Sequence, residues 1–188
     1  MTQLVFFLEE PSAREMLKGL LPRLFPNTYE MVYLVFEGKQ DLEKRLPRKL
    51  RAWQRADARF IVLQDKDSAD CVELKQRLAQ LCTQAGREDA LVRIACHELE
   101  SWYLGDLTAV ATAIGPAGLA RQQGSRKFRD PDRLANPCQE LKRIAPEYQK
   151  VSGSRTIGPY LSIENNRSIS FNVFISGIQR LIAEGATI

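Results

Sequence analysis

The sequence predicts an α/β fold built on a largely parallel sheet, and two observations carry that prediction. Short apolar runs rich in β-branched and aromatic residues recur through the first half of the 188-residue chain. Each is separated from the next by a segment whose leucines repeat at helical spacing. Strand and helix in alternation make parallel strands joined by right-handed crossovers. Because the runs are apolar throughout, they read as strands buried on both faces.

The first strand is Leu4-Val5-Phe6-Phe7-Leu8, closed by Glu9-Glu10. Ser12, with Glu15 three residues on, has the pattern of a capping box at the start of a helix bearing Leu17, Leu20, Leu21 and Leu24. The second strand runs from Met31 to Phe36, and the helix after it carries Leu42, Leu46, Leu50 and Trp53. The third, Phe60-Ile61-Val62-Leu63, leads into Asp65-Lys66-Asp67. Asp70 with Glu73 repeats the capping pattern and opens a helix with Leu74, Leu78, Leu81 and Ala85. The fourth, Leu91-Val92-Arg93-Ile94-Ala95, precedes Glu98-Leu99-Glu100. Further on, Gly115-Pro116, Gly118, Gly124 and Pro131 mark loops. Phe171, Phe174, Ile175, Ile178, Leu181 and Ile182 form a last helical stripe expected to pack on the sheet, with Ser170 as its cap.

A chain of this length can bury a substantial core, and one compact domain is expected, with residues 1–110 as the α/β core and 111–188 as a mostly helical extension packed on it. No apolar segment approaches the roughly 20 residues that span a bilayer. The first strand begins at once, without the basic start and cleavage site of a signal peptide, so a cytoplasmic protein is expected. Cys71, Cys82, Cys96 and Cys138 form no CxxC pair and fit reduced thiols.

The net charge is +4, but its distribution says more than its sum. Residues 39–59 hold eight basic side chains against three acids, residues 121–155 nine against four, and residues 60–106 nine acids against five bases. An acidic centre between two basic segments suits a polyanion such as nucleic acid. The alternative is that the first basic segment is the solvated face of its helix.

Carboxylates gathered at the carboxyl ends of parallel strands lie where open α/β sheets bind ligands. Glu9, Asp65 and Asp67 fall there. Asp65 and Asp67 are two apart, so a continuing strand would send both to one side, where they repel unless a cation joins them. Hard oxygen ligands favour Mg2+ or Mn2+. A turn-forming role for the pair is the competing reading. Glu98 and Glu100 share a face if the strand continues to 100, and diverge if a helix starts at 98, in which case Glu100 is the candidate. Trp102, Tyr103 and Leu104 are expected in the core, or, less simply, as a stacking wall for a base.

Several chemistries are excluded. His97 is the lone histidine, so no multi-histidine zinc site exists within the chain. His97-Glu98 with Pro137-Cys138 departs from the zinc-deaminase pattern, since the glutamate is one position early and position 141 is Leu. Neither GxxxxGK[ST] nor GxGxxG occurs. Catalysis would rely on carboxylates and metal.

Glu after the first strand, Asp-x-Asp after the third and acids after the fourth resemble the Toprim domain of topoisomerases, bacterial primases and overcoming-lysogenization-defect nucleases. More narrowly, the stretches 8–12, 37–42, 63–67, 98–106 and 168–171 resemble the bacterial Toprim-like family known as domain of unknown function 4276. The resemblance implies a Toprim-like (Rossmann-like), mostly parallel four- or five-stranded sheet flanked by helices, with a C-terminal helical extension. It implies Glu9 as general acid/base or metal ligand, Asp65 and Asp67 as ligands of the divalent ion, and Glu100, helped by Glu98, completing the site. It also implies bacterial anti-phage defence beside an ATPase partner. Many Toprim domains place Gly after the first Glu, where this chain has Glu10.

With such a site, metal ions would activate water at a phosphodiester and stabilise the leaving oxygen. Lys39, Lys66, Lys150 and Arg155 are the candidates for neutralising phosphates, unless they are ordinary solvated surface cations. The expected function is therefore metal-dependent phosphodiester hydrolysis of DNA or RNA. Two alternatives stand beside it: a non-cleaving Toprim-like module that binds nucleic acid or a partner, and a phosphoacceptor receiver-like domain. The last lacks the expected Ser or Thr after strand four.

Overall fold

A computed structural model describes residues 1–26 and 28–185. Four parallel strands form one sheet in the order β2-β1-β3-β4, with β1 Gln3–Leu8, β2 Glu30–Val35, β3 Ala58–Asp65 and β4 Leu91–Ala95. The crossovers are α1 (Pro11–Leu24), α2 (Lys39–Arg51) and α3 (Cys71–Gln84). The rest is helical: α4 Glu100–Leu104, α5 Leu107–Ala113, α6 Pro137–Ile144, α7 Lys150–Ile157 and α8 Ile169–Gly185, linked by short 3-10 turns.

Alternating side chains of the central strands serve two cores. Leu4, Phe6, Leu8, Ile61 and Leu63 meet Leu17 and Leu20 of α1, Trp102 and Tyr103 of α4, and Phe171 and Phe174 of α8. Val5, Phe7, Phe60 and Val62 meet Leu42, Leu46 and Leu50 of α2 and Leu74 and Leu78 of α3. The first core is continuous from Leu4 to Leu181, so the segment beyond residue 110 shares the hydrophobic interior of the sheet. Burial on both faces holds for β1 and most of β3. Strand β2 is only partly buried, because an edge strand keeps an open side.

Two expected caps are corrected. Helix α1 opens on Pro11, whose fixed φ suits a first helical turn, so Glu10 holds the cap position and Ser12 donates its hydroxyl to the Glu10 carboxylate. Ser12 and Glu15 therefore make no capping box. At α8, Ser168 rather than Ser170 receives the Phe171 N–H, at 3.1 Å. Asp70 does cap α3, accepting from the N–H groups of Val72 and Glu73. Trp102, Tyr103 and Leu104 are fully buried. The four cysteines are free thiols, with Cys82 buried and the other three half-buried. No helix among the described residues is long and apolar enough to cross a membrane.

Candidate functional site

Glu9 follows β1 directly and Asp65 is the last residue of β3, so pairing of these neighbouring strands sets the two acids side by side at the carboxyl end of the sheet. The Asp65 N–H donates to Glu9 Oε2 at 3.1 Å, and the Leu99 N–H donates to Asp65 Oδ2 at 3.2 Å. Glu100 opens α4 and is 1 % exposed. Its Oε1 accepts the Tyr148 hydroxyl at 2.8 Å, while its Oε2 is buried with no hydrogen-bond partner.

The electrostatics record the crowding. Burial raises the Asp65 carboxyl well above its ordinary range, and the charges of Glu10, Glu9 and Glu100 raise it further. Glu9 is raised by burial and by Asp67 and Glu10, against the Asp65 N–H and Lys39. Burial raises Glu100, although the Lys150 charge and the Tyr148 hydroxyl pull the other way. These carboxylates resist holding their charges together unless a cation is present.

Asp67 is placed differently from the expectation of strand alternation. Strand β3 stops at Asp65, and Asp67 takes a left-handed backbone (φ +49°), as does His97 (φ +59°) across from it. The Asp67 N–H donates to the His97 carbonyl at 2.7 Å. The pleat is broken, so Asp65 turns inward and Asp67 outward, where Lys39 Nζ binds its Oδ2 at 2.8 Å. Gly38 (φ +95°) makes the turn that starts α2 and delivers Lys39 there. Glu98 Oε2 accepts the Cys138 N–H at 2.8 Å, serving the first turn of α6. Beside these two acids lies a cleft of about 370 Å³ lined by Asp67, Ser68, His97, Glu98, Ala135 and Asn136.

The expected phosphate-binding cations are spread around this centre. Lys150 reaches Glu10 Oε2 at 3.2 Å. Burial opposes its charge, but Glu100, Glu10 and Asp65 outweigh that and hold the ammonium above its ordinary range. Arg155 binds Glu15 Oε2 at 2.7 Å, and that bond lowers the Glu15 carboxyl. Lys66 is half-buried on the loop after β3, on the Cys96 side.

In donor chemistry the residues fit a hard divalent ion: carboxylate oxygens, one of them buried and unmatched. Yet among the described residues no three Asp, Glu, Cys or His side chains stand close enough to ligate one ion as placed. The sequence points to Glu10 only as the neighbour of Glu9 in the acidic cluster, and does not point to Tyr148. Glu10 stands where many Toprim domains have glycine, but its backbone is extended (φ −145°), so that position makes no demand for glycine. Tyr148 left no sequence signal, because its bond to Glu100 spans 48 residues.

Fold and site together define an α/β domain with helices on both faces of a parallel sheet and a cluster of acids at the carboxyl ends of its two central strands. The chain belongs to the family described as Domain of unknown function (DUF4276), whose model matches residues 8–179. No curated protein and no solved structure matches it.

Proposed function

We propose that this protein is a divalent-metal-dependent phosphodiesterase acting on nucleic acid, with Mg2+ or Mn2+ held by Glu9, Asp65 and Glu100. The carrying observation is the buried Glu100 Oε2, which has no hydrogen-bond partner, together with the charges of Glu10, Glu9 and Glu100 that raise the proton affinity of Asp65. Such an arrangement is stable when protonated or when neutralised by a cation. A divalent ion there would supply an acidified water and charge neutralisation at the phosphate. The chain's own residues do the rest. Asp67 and Glu98 line the adjoining cleft; Lys39, Lys66 and Lys150 receive phosphate oxygens. Arg155, committed to Glu15, contributes least. The Toprim relationship, the bacterial defence setting, the ATPase partner and the cytoplasmic location belong to the same proposal.

A non-cleaving binding module is the second reading, favoured by the ties that Asp67 and Glu98 already make to Lys39 and the Cys138 N–H. Labelled DNA and RNA, single- and double-stranded, incubated with Mn2+, Mg2+ or a chelator separate the two. The proposal expects cleavage that needs metal and is absent from Asp65→Ala prepared in parallel. Metal-independent retention without cleavage, falling steeply with salt, would support the binding module instead.

A further inference from the structure

Lys150 begins α7, and the body of that helix is fixed. The Tyr103 hydroxyl donates to Ser154 Oγ at 2.7 Å, and Arg155 binds Glu15 at 2.7 Å. Gly153 lies so close to Tyr148 that a Cβ there would come within 2.4 Å of the ring. The Lys150 side chain, by contrast, is 40 % exposed. Its Nζ lies 3.2 and 3.4 Å from the two Glu10 oxygens, and the charges of Glu100, Glu10 and Asp65 all act on it. It binds neither of those two inner carboxylates, and Glu100 Oε2 stays unmatched. The ammonium thus supplies charge to the pocket without satisfying it.

From this we infer that Lys150 is a tethered counter-cation that competes with the divalent ion for the pocket and, once displaced, becomes its contact to a phosphate oxygen. The inference rests on the reading of the pocket as a cation site and adds how entry to that site is regulated. An ammonium on a four-carbon stem suits the task, since it is a point charge with rotatable donors that can swing to solvent while the helix stays in place. Lys39 provides the internal contrast. It and Asp67 are 51 % and 41 % exposed, so water and salt already screen the pair, and its release changes little.

Titration of the full-length protein with Mn2+, read by calorimetry and by electron paramagnetic resonance of the free ion, tests this. Lys150→Met is expected to bind Mn2+ more tightly than wild type by roughly 5- to 150-fold, the range of a coupling of about 1–3 kcal/mol between two bound groups. Lys39→Met, although Lys39 also acts on Glu9, should gain markedly less than Lys150→Met because its pair with Asp67 is exposed. With Ca2+ in place of Mn2+, Lys150→Met should also retain labelled oligonucleotide less well. Equal or weaker Mn2+ binding by Lys150→Met overturns the inference while leaving the cation site standing, and so does an equal gain in Lys39→Met, which would reflect net charge alone. No Mn2+ binding by any of the three removes the cation site and the inference with it. Should Lys150→Met fail to fold, the wild type answers through its 15N-labelled lysine side chains. The Lys150 ammonium signal moves on addition of Mg2+ if the inference holds, and stays put at saturation if it does not.

Discussion

Helix α4 faces two polar clusters, and they are built on opposite terms. On one side Trp102 Nε1 donates to Ser170 Oγ at 2.9 Å, Asp132 accepts from Ser168 Oγ at 2.7 Å and from the Ser170 N–H at 2.8 Å, and Asn166 bridges the Trp102 carbonyl and the Ser168 N–H, both at 2.8 Å. Gly105 admits this knot, since a Cβ there would lie 2.1 Å from Asn166 Oδ1. On the other side Glu100, Asp65, Glu9 and Glu10 repel one another, and a buried oxygen has no donor. The first cluster fastens α8 and the loop before it to the sheet; the second holds charge that the fold does not neutralise. A saturated polar network specifies structure, whereas an unsaturated one in the same core marks a place that awaits a partner.

That contrast can be broken or sharpened by substitution. The largest effect should come from Asp65→Ala, which loses metal-dependent hydrolysis by at least about 100-fold, since even outer-shell groups of metal sites reach that figure. Its melting temperature in metal-free buffer should equal or exceed that of wild type, because a repelled carboxylate is gone. Trp102→Ala acts in the opposite way. Trp102 packs against Phe171 and Phe174 at 5.4 and 4.9 Å between ring centroids, and its loss should cost about 3–5 kcal/mol in urea unfolding, whether or not metal is present. Asp132→Ala, which strands the Ser170 N–H and two hydroxyls, should cost about 2–3 kcal/mol with Mn2+ affinity unchanged.

Acidity tells the clusters apart more gently. Asp65, Glu9 and Glu100 have folded-state proton affinities above their ordinary values, so the native protein binds more protons than the unfolded chain between those limits. Stability of the metal-free protein should therefore rise as pH falls from neutral towards the ordinary carboxylate range, and decline as pH rises through the folded values. Asp65→Asn or Glu100→Gln should flatten that slope in pH-dependent urea titrations, and saturating Mg2+ should stabilise most at neutral pH, where protons compete least. The smallest effect is expected from Lys39→Ala, whose exposed pair with Asp67 should change stability by no more than about 0.5 kcal/mol.

Much of the fold was legible in the sequence because it depends on short-range pattern. The run 91–95 is a strand from end to end, and the leucine periods of α1, α2 and α3 mark their buried faces. What escaped depends on a single backbone torsion or on distant partners. The left-handed turn at Asp67 ends the alternation that would have paired it with Asp65. Pro11 moves the start of α1 and undoes the Ser12–Glu15 box. Ser170 is drawn from capping into the network of Asp132, 38 residues away. At the site, Glu9, Asp65 and Glu100 were readable as acids at strand ends, while the matching of each oxygen was not, since Tyr148 reaches Glu100 and the Leu99 N–H reaches Asp65 from other segments.

The central claim, that the pocket of Glu9, Asp65 and Glu100 is a cation site, is tested most directly by a crystal of the protein soaked in Mn2+. The account predicts an anomalous density peak among these three carboxylates, with Glu100 Oε2 in its coordination and Lys150 turned away from Glu10. An empty pocket in crystals saturated with Mn2+, or manganese bound only at surface acids elsewhere, would contradict it.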